Sequence, residues 1–203
     1  MKKLLSILII FIICFSATEV KAKLTEVRPL IFKFERILRL EYKLNDMTIA
    51  AIIGNSLHET GRTLNYKEKQ KGADGKDLKG SSVPFGLFQF TGTQLIDYKK
   101  FLGKKKDSFE KQIDFFMKVV ITKDTKVPHN IGWTNRKKLR IIFKYPESVE
   151  EVTRALVKYY FRPGKPHIDK RIKLANYVYK LMQGTHIKET IFYNQGDSKY
   201  VCR

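Results

Sequence analysis

The segment from Met47 to Leu57 constrains this chain more than any other. It reads MTIAAIIGNSL and is apolar almost all round, with no stripe to leave a polar face in water. A helix of that kind is stable only when other elements enclose it, so it predicts a central buried helix. Asn45 or Asp46 stands at its start as a capping residue, and Gly61, just past Glu59 and Thr60, suits a left-handed C-terminal cap.

The rest of the chain supplies the enclosure. Residues from about Glu26 to Tyr42 put Leu30, Phe34, Ile37 and Leu38 on one helical stripe. Thr91-Gly92-Thr93 opens a helix carrying Leu95, Tyr98 and Phe101 or Leu102. Asp107 with Glu110 resembles a capping box, and Ile113, Phe116, Met117 and Val120 follow it at helical spacing. Residues 122–135 read as a connection, and a short helix is expected from Lys137 to Phe143. Ser148 with Glu151 forms a second capping box, before a helix that Arg162-Pro163-Gly164 ends. A final helix runs from Ile168 to about Met182, with Ile172, Ala175, Val178 and Tyr179 on its stripe, and stops at Gly184. Residues 62–83 are polar, rich in Lys and Gly, and read as a long loop or irregular hairpin. The expected fold class is therefore mainly α: a single helical domain, with a central buried helix and a small irregular or β segment.

The N-terminus speaks to compartment. A basic start, an apolar run from Leu4 to Phe15 and a cleavage-like Val20-Lys21-Ala22 make up a secretory signal peptide. The run is short for a bilayer span, so export is the expectation and an N-terminal anchor the alternative. The expected division is residues 1–22 as signal peptide, 23–184 as the functional domain and 185–203 as a tail. The formal net charge is +20, and removing residues 1–22 lowers it only to +18. An exported, strongly basic surface favours an anionic cell wall over nucleic acid as partner. Cleavage leaves Cys202 as the sole cysteine, so no internal disulfide is expected. The four histidines show no ligand spacing, and neither metal nor cofactor is expected. A monomer is expected.

Two segments are candidates for chemistry. Glu59 ends the most apolar helix, where the negative end of the helix dipole and desolvation both favour the protonated acid. A carboxylic acid still protonated near neutral pH is what cleavage of a glycosidic bond requires. Downstream, Phe85-Gly86-Leu87-Phe88-Gln89-Phe90 sets aromatic residues around a glycine that permits close approach by a backbone or ligand, and around a glutamine that must find a hydrogen bond if buried.

Taken together, these segments resemble the domain of phage tail lysozymes, within the lysozyme-like superfamily that includes goose-type lysozymes and lytic transglycosylases. Met47 to Gly61 is similar to that family's apolar helix with Gly-Asn followed by Glu-Ser/Thr-Gly. Pro84 to Gly92 is similar to its Tyr-Gly-Leu-x-Gln-Trp-Thr-Gly stretch, with Phe90 in place of Trp. Gln112-Ile-Asp-Phe-Phe, Tyr159 to Gly164 and Arg171 to Tyr177 resemble its later segments, with Phe161 where the family often has Glu. The resemblance spans residues from about 46 to 182. It implies a lysozyme-like fold, cleavage of the peptidoglycan glycan strand, and Glu59 as catalytic acid. It also implies sugar contacts by Phe85, Gly86, Leu87, Gln89, Thr91 and Tyr160. A second carboxylate has three candidates by position: Asp74, Asp77 and Asp97. Hydrolysis, transglycosylation and wall binding without catalysis remain open at this stage.

Overall fold

The computed structural model describes residues 24–69, 83–123 and 128–194, with side chains as far as 184. The expected signal peptide, Asp74, Asp77 and Cys202 lie outside the described residues. The described chain is mainly helical, as the sequence predicts. Helix α1 spans Arg28–Tyr42, α2 Asp46–Glu59, α3 Gly92–Leu102, α4 Phe109–Ile121, α5 Trp133–Lys144, α6 Val149–Leu156 and α7 Ile168–Asn194. A π-helical turn, Val157–Phe161, continues α6. The β component among the described residues is two isolated bridges, Lys69 with Phe85 and Phe85 with Phe90.

Helix α2 is the axis of the fold. Every residue from Thr48 to Leu57 is buried. Asn45 is the cap: its Oδ1 accepts from the Thr48 amide at 3.0 Å, and its Nδ2 donates to the Phe143 carbonyl at 2.8 Å. One residue thus starts α2 and ties it to the end of α5. The most extensive contact of α2 is with α7, and Gly54 explains how close that contact is. A Cβ at Gly54 would lie 2.5 Å from both N and Cα of Ala175. The helix accepts the intrinsic cost of a central glycine, about 1 kcal/mol, and gains close backbone packing.

Several boundaries differ from the sequence expectation, each for a local reason. Ser108, not Asp107, caps α4, its Oγ accepting from the Lys111 amide at 3.2 Å. The Asp107 carboxylate is engaged elsewhere, by the Tyr98 hydroxyl and by Gln112 Nε2. Helix α5 begins at Trp133, inside the expected connection, where Gly132 turns the chain with φ of 92°. Helix α7 continues through Gly184 to Asn194, because a single exposed glycine weakens a helix without ending it. The Ser148 cap forms as expected, with Oγ accepting from the Glu151 amide at 3.0 Å; the Glu151 carboxylate accepts from the Glu147 amide.

The aromatic residues form a second packing layer beside α2. Phe88 stacks on Phe116 with ring centroids 4.2 Å apart and planes 6° from parallel, and Tyr160 meets Phe116 edge-on at 4.7 Å. Phe90 packs against Tyr98 and Phe115. These contacts fix the Phe85–Phe90 segment against α4 and the π turn, and so shape a cleft at the C-terminal end of α2.

Candidate active site

Glu59 is the last residue of α2, and the local sequence controls how the chain leaves it. Thr60 is only 2% exposed. Its hydroxyl donates to the Ser56 carbonyl at 2.8 Å and accepts from the Leu64 amide at 3.0 Å. Thr63 Oγ1 donates back to the Thr60 carbonyl. Gly61 takes the left-handed conformation, φ 56°, as its sequence position predicts. Glu-Thr-Gly is thus a rigid helix exit that presents the acid to open space.

That space is a cleft of about 830 Å³. Glu59, Gly61 and Thr63 come from the helix exit, and Glu68 and Lys69 from the chain beyond it. Phe88, Gln89 and Thr91 form another wall, joined by Gln94 of α3. The π turn and its exit contribute Tyr160, Phe161 and the Arg162–Gly164 segment. The cleft has the size of a small-molecule site and mixes aromatic faces with hydrogen-bonding groups.

Four of the residues implicated by the family resemblance therefore meet in one place: Glu59, Gln89, Thr91 and Tyr160. Phe85, Gly86 and Leu87 do not line the cleft. Leu87 is wholly buried. Gly86 does permit a close approach, but by Gln112: a Cβ there would lie 2.2 Å from Gln112 Oε1. Gln112 accepts from the Leu87 amide at 2.8 Å and donates to the Tyr66 carbonyl at 2.7 Å. It fastens the turn to α4 and to the chain leaving Glu59. Phe85 pairs with Phe90 through two backbone hydrogen bonds, which close the same turn. Gln89 is half-buried with φ of 49° and donates to the Gly86 carbonyl at 2.8 Å. Phe85, Gly86 and Leu87 thus stand behind the cleft wall that Phe88 and Gln89 form.

Arg171 is the partner of Glu59, a pairing that the sequence analysis does not predict. Its guanidinium, from α7, is 2% exposed and is engaged on every side. Nη2 lies 2.7 Å from Glu59 Oε1, Nη1 donates to Asn55 Oδ1 at 3.0 Å, and Nε donates to the Pro166 carbonyl at 2.9 Å. Phe161 lies against the guanidinium, with its ring centroid 5.3 Å from Cζ. Asn55 is in turn held by donating to the Ala51 carbonyl. Adjacent residues of α2 thus do two jobs: Gly54 brings α7 close, and Asn55 receives the arginine that α7 carries.

Two opposed influences act on the Glu59 carboxyl. Burial raises its pKa above the ordinary glutamate value, and the charge and hydrogen bond of Arg171 offset that only in part. The acid is therefore biased towards protonation, while its conjugate base has a cation waiting. Burial also pushes the Tyr160 hydroxyl well above its ordinary pKa, opposed by its bond from Gln94 Nε2 at 2.7 Å and helped by the Glu59 charge. Tyr160 is a neutral hydrogen-bonding phenol. Burial, with the charge of Arg171 next, lowers His58 to about 4, so its imidazole is neutral at physiological pH.

The carboxylates sort clearly. Asp97 is engaged with His129 Nδ1 at 2.9 Å and does not line the cleft. Glu68 does line it, half-buried, with Oε2 accepting from Asn65 Nδ2 at 3.4 Å. Among the described residues, Glu59 and Glu68 are the carboxylates of the cleft wall.

No curated protein and no solved structure matches the chain. The sequence model of one family, phage tail lysozyme, matches residues 36–182, which takes in α2, the cleft and the Arg171 network. With well over half of its length matched, the chain belongs to the phage tail lysozyme family.

Proposed function

We propose that this chain cleaves the glycan strand of peptidoglycan, with Glu59 as the general acid. Membership of the family supports a lysozyme-like, peptidoglycan-cleaving activity in general. The observation that carries the specific reading is the environment of Glu59: a largely buried carboxyl, raised in pKa, opening onto the cleft and paired with Arg171. A sugar chain in the cleft places a glycosidic oxygen beside the Glu59 carboxyl. The acid delivers its proton as the C–O bond breaks, and the carboxylate that remains is stabilised by the guanidinium at 2.7 Å. Burial thus holds the proton before reaction, and Arg171 makes its departure less costly.

Glu68 supplies the second carboxylate. In the hydrolytic reading it activates the incoming water or stabilises the oxocarbenium-like sugar. Its place on the cleft wall favours hydrolysis over a transglycosylation that needs Glu59 alone. Gln89, Thr91 and Tyr160 offer hydrogen bonds to sugar hydroxyl and amide groups, and Phe88 an apolar face. We further propose export through the N-terminal segment, with the net charge of +18 that remains once residues 1–22 are removed drawing the protein to an anionic wall. Mass spectrometry of digested sacculi tests the reaction. Reducing muramic acid ends are expected; anhydro ends would mean transglycosylation, and the absence of sugar products would mean a wall-binding protein without catalysis.

A further inference from the structure

Helix α5 takes no part in the cleft, and its outer face is unlike any other surface described. Arg136, Leu139 and Phe143 point inward and are buried. At 100° per residue, Trp133, Lys137, Ile141 and Lys144 share one exposed arc, and Arg140 stands at its edge, half-buried, with Nη1 donating to the Thr122 carbonyl at 3.2 Å. Trp133 is 50% exposed and Ile141 54%, and Tyr145, which caps the helix, is 66% exposed. Of the large hydrophobic residues exposed among those described, only Leu40 and Ile96 lie elsewhere. From Trp133 to Lys144 the helix has five cationic residues and no acidic one. The Arg140 guanidinium lies 5.1 Å from the Trp133 ring centroid, and Lys144 Nζ lies 4.9 Å from that of Tyr145. Cations are thus arranged directly beside exposed apolar tips.

Each half of that pattern has a physical meaning. Cations alone suit any polyanion. An exposed isoleucine among lysines gains nothing from a soluble polyanionic strand, but it and the exposed indole both gain burial where phosphate headgroups overlie an apolar layer. We propose that the outer face of α5 docks on an anionic bilayer surface. Trp133 and Ile141 enter the interfacial layer, and Lys137, Arg140 and Lys144 meet the headgroup phosphates. No residue of α5 lines the cleft, so docking takes up none of its wall.

The chain contains one tryptophan, so its emission reports on this face alone. The full chain is titrated with vesicles of equal phosphatidylglycerol and phosphatidylcholine, and with vesicles of phosphatidylcholine only. A blue shift and quenching by brominated acyl chains are expected with the anionic vesicles alone. Changing Lys137→Gln and Lys144→Gln, both exposed, should weaken the partition that this emission follows by about fivefold per lysine. Emission that stays unchanged while the protein sediments with anionic vesicles would overturn the proposal, because another part of the chain would then be the anchor. An equal blue shift with soluble polyphosphate would also overturn it, by assigning the face to a polyanion in solution.

Discussion

Replacing Arg171 by methionine keeps an unbranched side chain in the space between α2 and α7, but leaves Glu59 Oε1, Asn55 Oδ1 and the Pro166 carbonyl without their donor. Opposite charges about 4 Å apart at an effective dielectric near 20 interact with about 4 kcal/mol. Removing one member of a buried pair costs about 3–5 kcal/mol when the other must stay charged. Glu59 can avoid much of that cost by taking up a proton. Its pKa already lies above the unfolded value of 4.5, and without Arg171 it rises further. A group with a raised folded pKa loses its contribution to stability as pH rises through that pKa. The variant should therefore lose about 3–5 kcal/mol at pH 8 and distinctly less at pH 5. His58, held down to about 4 partly by the same arginine, shifts the difference in the same direction. Urea denaturation of both proteins at the two pH values gives the comparison, and repeating it with Glu59→Gln in both leaves only the share of His58. A loss independent of pH, or unchanged by Glu59→Gln, would refute electrostatic coupling between Arg171 and Glu59. In an activity assay the alkaline limb should move to higher pH, because the acid holds its proton longer.

Further expectations follow from the same geometry. Gly54→Ala should cost about 1–3 kcal/mol by forcing α2 and α7 apart, and should also reduce activity because α7 carries Arg171; thermal melts and turbidity clearance read the two effects. Gly61→Ala meets no atom within 4 Å but sits at φ 56°, so thermal melts should show a loss of only about 1–2 kcal/mol. Glu68→Gln should lower the rate of sugar release from sacculi by about 10²-fold, and an unaltered rate would remove it from the chemistry. Clearance of sacculi should slow with added salt, because screening weakens the attraction between a basic protein and an anionic wall.

Much of the architecture was legible because burial leaves a periodic trace. The apolar run around Ile49–Ile53 predicts the central helix, and Ser148 with Glu151 predicts the start of α6. Less legible were features whose cause lies across the fold. Asp107 has the right spacing for a cap but is taken by Tyr98 and Gln112. Gly86 marks a close approach, but only the folded chain reveals that Gln112 makes it. The pairing of Arg171 with Glu59 spans most of the chain, and no local pattern encodes it. One signal did exist: an asparagine inside an all-round apolar helix must have a buried partner, and Asn55 has Arg171. Glu68 carries no motif; the path of the chain beyond Thr60 places it in the cleft.

The most direct test of Glu59 as the acid is the rate at which Glu59→Gln releases soluble sugar from purified sacculi, measured beside the wild-type protein at the same ionic strength. Glutamine keeps an oxygen for Arg171 to donate to, so the network around it can persist, but it has no proton to give. The rate should fall by at least about 10²-fold while binding to sacculi is retained. A variant that releases sugar at the wild-type rate would contradict the assignment of Glu59.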